Sequence, residues 1–425
     1  MRGVRQWFRG AARGRARVGR ACVGRACVGR ALVFVALPSF GAALAQPALT
    51  FQLVGPTYET ERVTGIYCSA ATACVVATDG TSDVGHVYAS DGTSITATLL
   101  SGDYAFAETF DTLGTVDFFG FSKVGDTLIV KLDSAANAWV TATGDVTQAS
   151  SWTASTQGIP DGASGFGGNQ QLGWGAKDGR WVFVRSGTFF ESTDAPGPGA
   201  LWFPLWSPTP PGEVPSDLSA LLRDDPRLCI ADPGIGISPK LTQMAYVAPD
   251  LAVIVYPAGA RNQRGSVEPG VCISVDGGQR FHHVPFPEVT GDLGPLGVTC
   301  ASAEHCLAYG GLENDPESVY AYVTHDAQKG PDSTWTRATL PSLRENSRFR
   351  AAAFAQDGVT GWLVGATGSS SPLVLTTADG GTTWTDATSL VRGLAPDARL
   401  HSVFVVDAEH VWIGGEGGVV MAAGY

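Results

Sequence analysis

The sequence predicts an all-β protein built from repeated strand–turn–strand units. Three observations support this prediction: short runs of alternating apolar residues, turns rich in glycine and aspartate, and one clear reference unit at 373–384. In that unit a strand leads into Asp379, Gly380 and Gly381, and the chain returns to Trp384. Glycine adopts positive φ without strain and a short aspartate side chain accepts amides of its own loop, so this pattern predicts a hairpin. Trp384 is a large flat anchor suited to packing against a neighbouring sheet.

Imperfect copies of this unit recur along the chain. Asp276, Gly277 and Gly278 follow an apolar run and lead to Phe281 in place of the tryptophan, and Asp91 repeats the first half of the unit. Repeats of this kind pack side by side, because one unit cannot bury its apolar face alone. We interpret the three aspartates as turn residues that accept loop amides, rather than as acid catalysts or calcium ligands.

The repeated pattern Ser/Thr-x-Asp-x-Gly-x-Thr-Trp resembles the Asp-box of sialidase-like β-propellers. The run Gly-Trp-Leu-Val-Gly at 361–365, just before the reference unit, adds a likeness to the photosystem II assembly and stability factor family of propellers. The resemblance implies a single propeller over 46–425, of about seven four-stranded blades. A strand at 49–54 is expected to complete the last blade and so remove an exposed edge. Six or eight blades, or a two-domain sandwich, are the alternatives.

The seven predicted units follow one another at irregular spacing. They begin near residues 63, 114, 171, 241, 297, 349 and 401. A proline-rich insertion at 204–240 separates the third unit from the fourth, and 218–223 within it is predicted to form a short helix.

The first 45 residues differ in composition from the rest of the chain. They hold nine arginines and no acidic residue, and their apolar stretch from Ala31 to Leu44 leads to small residues at the end. This pattern is typical of a secretory signal peptide at 1–45, cleaved after Ala45. The apolar run is shorter than the ~20 residues needed to span a bilayer, so we expect no membrane insertion after cleavage. The predicted location is outside the cell, or in the periplasm or cell envelope of a bacterium.

Net charge limits the classes of partner. Without the leader, 19 basic residues face 40 acidic residues, which gives a formal charge of −21. Such a protein repels nucleic acid and anionic lipid, so neither is an expected partner. We expect a soluble monomer.

Six cysteines remain once the leader is removed, which favours an oxidising compartment. Two of the three pairs each enclose five residues within matching hairpin frames, a geometry that cross-strand disulfides fit. A zinc site is disfavoured because this spacing lacks the short ligand pairs and histidines of zinc modules. The predicted disulfides are Cys68–Cys74, Cys300–Cys306 and Cys229–Cys272.

Hydrolase motifs are missing from the sequence. It contains no His-Glu-x-x-His, no Gly-x-Ser-x-Gly and no phosphate-binding glycine loop. The resemblance to sialidases implies an arginine cluster for a substrate carboxylate and a tyrosine nucleophile paired with a glutamate. The Arg-Ile-Pro signature of that family is missing, and no tyrosine stands in register with a glutamate. We therefore expect no catalytic residue, cofactor or metal, and keep a glycan-active or glycan-binding propeller, an exo-sialidase above all, as the alternative.

A local basic cluster is the remaining candidate for binding. Arg344, Arg348 and Arg350 flank the strand that begins the sixth unit. In an acidic protein, such a cluster near the centre of a propeller is suited to gripping an acidic peptide or a carboxylate. Ordinary solvated charge is the alternative. The resemblance to assembly factors likewise implies a protein that holds a partner polypeptide. The sequence therefore predicts a secreted, non-enzymatic binding or assembly scaffold for an unidentified protein or glycan ligand.

Overall fold

Seven antiparallel sheets of four strands each form the described part of this computed structural model. The described residues are 49–54, 61–80, 85–101, 118–132, 139–155, 171–177, 180–185, 188–194, 203–206, 227, 229, 243–247, 250–255, 260–261, 267–287, 295–310, 319–368, 371–391, 393–395 and 397–424. All of them belong to one compact unit, Pro47–Tyr425. The predicted signal peptide and the predicted helix at 218–223 lie outside the described residues. Among the residues described, no helix is long and apolar enough to cross a membrane.

Each sheet is one blade, and in blades 1 to 6 its strands lie side by side in chain order. Short loops reverse the chain between consecutive strands, so every pair is antiparallel. Blade 1 consists of β2 (Glu61–Ala70), β3 (Ala73–Gly80), β4 (His86–Ser90) and β5 (Ile95–Ser101). Blade 2 consists of β6 (Phe118–Val124), β7 (Thr127–Leu132), β8 (Trp139–Thr143) and β9 (Trp152–Ser155). Blade 3 consists of β10 (Gln171–Lys177), β11 (Arg180–Arg185), β12 (Thr188–Ser192) and β13 (Phe203–Trp206).

The remaining blades repeat this arrangement. Blade 4 consists of β14 (Gln243–Tyr246), β15 (Ala252–Val255), β18 (Gly270–Ser274) and β19 (His282–Pro285), with a small hairpin of β16 (Ala260–Arg261) and β17 (Val267–Glu268). Blade 5 consists of β20 (Pro295–Cys300), β21 (Cys306–Gly310), β22 (Tyr320–Thr324) and β23 (Thr336–Arg337). Blade 6 consists of β24 (Arg348–Phe354), β25 (Gly361–Thr367), β26 (Ser371–Thr377) and β27 (Thr385–Asp386). Short 3-10 helices lie at Ala149–Ser151, Ala327–Asp332 and Thr388–Leu390.

Blade 7 combines the two ends of the described chain. Its strands are β28 (Leu400–Val405), β29 (Val411–Gly415), β30 (Val420–Ala423) and, outermost, β1 (Phe51–Leu53). Phe51 pairs with Ala423, and its ring packs edge-on against Trp362 of blade 6 at 5.5 Å. The seven four-stranded blades and the N-terminal strand beside the last blade agree with the sequence prediction.

The core lies between the blades. Apolar side chains of blades 1 and 2 form one cluster, and similar clusters join blades 4 and 5, 5 and 6, 6 and 7, and 7 and 1. The first strands of successive blades contact one another, and β28 contacts β2. Close approach needs small residues: a Cβ at Gly65 in β2 would lie 2.2 Å from the Cα of Gly120 in β6. These contacts are consistent with a ring closed through blades 7 and 1.

Antiparallel pairing places equivalent loops of a blade at the same end. We call the end that holds the first-to-second and third-to-fourth hairpins the turn end, and the end where each first strand begins the start end. The predicted insertion overlaps the third blade, because β13 takes in residues 204–206. Two of its later residues pair with blade 4: the Cys229 amide donates to Phe281 O at 2.8 Å, and the His283 amide donates to Arg227 O at 2.7 Å.

Candidate functional site

The turn of blade 6 uses its aspartate as a local acceptor. Asp379 Oδ1 accepts the Thr383 amide at 2.8 Å and the Thr377 hydroxyl at 2.8 Å. The same hydroxyl oxygen accepts the Gly381 amide at 3.0 Å. Gly380 and Gly381 have φ of 70° and 85°, which a side chain would strain. Burial raises the pKa of Asp379, but the amide of Thr383 and the hydroxyl of Thr377 outweigh it, so the pKa is lowered.

The third-to-fourth turns of blades 4 and 5 repeat this geometry. In blade 4, Asp276 Oδ1 accepts the Gln279 and Arg280 amides, each at 3.0 Å, and the Ser274 hydroxyl at 2.8 Å. In blade 5, Asp326 Oδ1 accepts the Thr334 amide and the Thr324 hydroxyl, both at 2.8 Å. In all three turns the hydroxyl residue stands two positions before the aspartate.

Each of these turns ends on a buried ring. Trp384 in blade 6 is 2% exposed, and its indole Nε1 donates to Gly381 O at 2.9 Å. Phe281 holds the corresponding place in blade 4, and Trp335 in blade 5 stands after an insertion. Both are buried. These rings are packing anchors, because a sugar platform has to present an exposed face.

Asp91 differs from the other turn aspartates. It follows Ser90 directly, so no hydroxyl residue stands two positions before it. Its Oδ1 accepts the amides of Thr93 at 2.9 Å and Ser94 at 2.8 Å. These two amides lower the pKa of Asp91, whose side chain is fully exposed. Asp91 therefore accepts loop amides in a tighter turn that is not a copy of the blade 6 turn.

A cleft of about 420 Å³ opens at the turn end between blades 5 and 6. Its lining includes His305, His325, Asp357 and Asp379. His305 is 6% exposed, stacks on His325 at 4.8 Å, and donates through Nε2 to Gly380 O at 2.8 Å. Burial lowers the pKa of His305, against the effect of that hydrogen bond. His305 therefore joins the two blades through its hydrogen bond to Gly380.

The predicted arginine cluster lies at the start end of blade 6. Arg348 and Arg350 are half-buried at the beginning of β24, and Arg344 is exposed in the segment before it. The Arg344 carbonyl accepts the Ser347 hydroxyl at 2.6 Å. Arg348 and Arg350 thus lie on the innermost strand, as predicted, whereas Arg344 lies on the approach to it.

Blade 7 adds charged residues at the same end that the sequence prediction missed. Glu416 Oε1 lies 3.2 Å from His401 Nε2 and 3.6 Å from Arg399 Nη1. Burial lowers the pKa of His401 to about 4; the bond to Glu416 opposes this shift, and the charges of Arg350 and Arg62 add to it. Residues of blades 6, 7 and 1 therefore share one electrostatic environment. A signal was present in the sequence, because residues 399–401 begin the seventh unit as 348–350 begin the sixth.

Blade 1 corrects the prediction that no tyrosine pairs with a glutamate. The Tyr88 hydroxyl donates to Glu61, with its oxygen 2.9 Å from Oε1 and 3.1 Å from Oε2. His86 Nδ1 lies 2.8 Å from Glu61 Oε1, and Arg62 pairs with Asp79. Periodicity alone misses these pairs because the partners come from different strands of the blade. Tyr88 is only 3% exposed, so its hydroxyl makes an internal hydrogen bond and is not presented to solvent.

All three predicted disulfides are present. Cys68–Cys74 and Cys300–Cys306 each join directly opposed residues of a first-to-second hairpin, and Cys229–Cys272 ties the insertion to β18. Across the described ranges, no group of three or more histidine, cysteine, aspartate or glutamate side chains is placed to hold a metal ion.

Comparisons with known proteins relate this chain to others by structure. No family model matches it, and no curated protein sequence matches it. YCF48 from Cyanidioschyzon merolae matches with a TM-score of 0.55 and 13% identity, over 88% of this chain and 98% of that chain. A structure of YCF48 bound to D1 peptide matches with a TM-score of 0.51 and 12% identity, over 88% and 96%. U3-55K matches with a TM-score of 0.52 and 7% identity, over 88% and 98%. These likenesses concern the fold: the chain is a β-propeller, similar in architecture to YCF48.

Proposed function

We propose that this protein is a secreted, non-enzymatic β-propeller that binds an acidic polypeptide segment at its start end. The observation that carries the proposal is the concentration of cationic side chains there, in a protein whose acidic residues outnumber its basic ones by 40 to 28. Arg348 and Arg350 stand on the innermost strand of blade 6, and Arg399 begins blade 7. Arginine is suited to this role because its planar guanidinium recognises a carboxylate through two parallel hydrogen bonds.

Two further features support the proposal. The hydroxyl–aspartate turns of blades 4, 5 and 6 have the residue spacing of Asp-box repeats, and we assign them to that type as structural turns. YCF48, to which the fold is similar, has been captured bound to D1 peptide. The likeness is one of fold, so it supports a peptide-binding role by analogy only.

The compartment follows from the leader and the cysteines. A basic segment followed by an apolar run and small residues has the form of a secretory signal. Three disulfides persist only where the surroundings are oxidising, which fits export. We propose that the exported protein starts near residue 46 and acts as a monomer.

A glycan-active propeller is the second candidate, because Tyr88 and Glu61 form a buried hydrogen-bonded pair near Arg62. A nucleophile has to touch its substrate, and Tyr88 is almost completely buried, so we place this candidate second. Turnover of a fluorogenic sialoside by the wild-type protein would reverse that order.

The arginine proposal is tested by a double charge reversal, Arg348→Glu with Arg350→Glu. Titration calorimetry of the exported protein with a hexaglutamate peptide should show binding that the variant weakens by at least about tenfold, since attraction becomes repulsion. The matched control is Arg280→Glu with Arg337→Glu, which makes the same charge change at two exposed positions away from the start end. Equal binding by both double variants would contradict the proposal. Co-purification from the native envelope fraction then identifies the partner.

A further inference from the structure

We propose that the ligand carboxylate is received at the junction of blades 6, 7 and 1, at the position that the Glu416 carboxylate occupies. Arg399 and His401 are its direct partners. Arg350 of blade 6 adds positive charge nearby, and Arg62 of blade 1 reaches the junction as the partner of Asp79. This inference rests on the proposed function and makes it more specific. It moves the centre of the site from the predicted arginines of blade 6 to side chains of blade 7.

The geometry around Glu416 is that of an occupied carboxylate site. One oxygen, Oε1, lies within reach of both Arg399 Nη1 and His401 Nε2. The side chains of Arg350 and Arg62 are close enough to act on the charge of His401. Because Arg399 and His401 converge on one carboxylate oxygen, a carboxylate from another molecule would meet the same two groups.

Glu416 is placed so that its side chain can leave without loss of the turn. Its amide donates to Arg399 O at 2.9 Å, and the Gly418 amide donates to Glu61 O at 2.7 Å, which fixes the turn to blade 1 through backbone atoms alone. The Glu416 side chain is 39% exposed, whereas that of His401 is 11% exposed. The Arg399 side chain is also exposed, at 42%. The Glu416 carboxylate therefore faces solvent and has room to rotate away, while His401 stays buried.

While the Glu416 carboxylate occupies the site, the apparent affinity for the carboxylate of a ligand is lowered. A ligand that binds only when Glu416 is displaced sees only the fraction of molecules in which the site is open. Replacing Glu416 with glutamine keeps the size of the side chain and removes its charge. The vacated donors then become available to an external carboxylate.

The test compares Glu416→Gln with Glu409→Gln in titrations with hexaglutamate and, as a neutral probe, hexaglutamine. Glu409 is exposed in the turn-end loop of the same blade, so its replacement makes the same charge change elsewhere. We expect Glu416→Gln to bind hexaglutamate about tenfold more tightly than wild type, which corresponds to an open fraction of roughly one tenth in the wild type. Glu409→Gln should match the wild type, and Arg399→Gln added to Glu416→Gln should remove the gain. Thermal unfolding checks that each variant is folded.

The outcomes separate this inference from the proposed function. If Glu416→Gln does not tighten binding while Arg348→Glu with Arg350→Glu still weakens it at least about tenfold, the junction site is overturned and the arginine site stands. If neither the wild type nor Glu416→Gln binds hexaglutamate, both are overturned. Binding by Glu416→Gln alone supports the junction site, because it shows that Glu416 blocks it.

Discussion

The two ends of the propeller use charge in different ways. At the turn end, Asp379 bonds with groups no more than four residues away, and Asp276 does the same. At the start end the partners are distant in sequence: Glu61 pairs with Tyr88 27 residues away, and Gly418 reaches across blades to Glu61. Turn-end carboxylates are thus engaged by amides and hydroxyls of their own loops, whereas start-end charges meet side chains of other strands.

The charge at the two ends has different physical origins. The turn end is acidic because hairpins need acceptors for their amides, so its aspartates are a consequence of turn chemistry. At the start end, Arg399 and His401 meet the Glu416 carboxylate, and the charge of Arg350 acts on His401. Charge that local structure does not require is the better guide to a binding surface.

Removing a turn anchor should have the largest effect on stability. Trp384→Ala leaves a cavity between blades 5 and 6, and we expect the free energy of unfolding to fall by about 3–5 kcal/mol. Trp384→Phe should cost much less, because Phe281 fills the equivalent place in blade 4. Chemical denaturation of both variants measures the difference. Equal losses would mean that the hydrogen bond to Gly381, rather than the ring, is what stabilises the turn.

The buried His401 at the start end should make the free energy of unfolding depend on pH. Burial places the pKa of His401 at about 4 in the folded protein, below its ordinary value of 6.5. Between these pH values the unfolded chain binds a proton that the folded chain does not, so stability falls as pH falls. His401→Gln should reduce this loss by on the order of 1–3 kcal/mol.

The measurement is the free energy of unfolding from pH 7 to pH 4. His410→Gln, at the turn end of the same blade, is the matched control. A slope unchanged by His401→Gln would show that other groups, such as His305, account for the acid sensitivity.

The smallest expected effect is a difference in stability between loss of Asp379 in the blade 6 turn and loss of Asp91 in the blade 1 turn. Asp379→Ala leaves the Thr383 amide and the Thr377 hydroxyl without their acceptor, at a cost of about 1–2 kcal/mol. Asp91→Ala should cost less, because the Asp91 side chain is exposed and water replaces the lost acceptor. Denaturation midpoints of the two variants measure the difference in stability. A larger loss for Asp91→Ala would make the blade 1 turn the stronger one.

Local chemistry explains how much of the fold was predictable. A hairpin is specified by neighbouring residues, so the aspartate–glycine turns located the blades, and matched cysteine spacing located two disulfides. The strand at 51–53 was predictable for a different reason: the seventh unit lacked a fourth strand. The sequence analysis treated Asp91 as a copy of the Asp379 turn. The two turns differ because an aspartate–glycine pair does not by itself fix where the preceding hydroxyl residue stands.

The candidate site was only partly predictable, because its residues meet through the fold. Arg348 and Arg350 stand close together in sequence, so a cluster was visible. His401 lies in β28 and Glu416 in the turn after β29, and Tyr88 reaches Glu61 across blade 1. Such pairs depend on strand register, which a periodic pattern sets only approximately.

The pairing of β1 with β30 has a consequence for biogenesis. If the leader is removed as proposed, the segment that emerges first from the export channel must wait, unpartnered, until the last strand has emerged. Contacts between such distant parts of a chain form slowly. The seventh blade is then the last to assemble, and a chain stalled during export would keep an open edge that proteases and chaperones recognise.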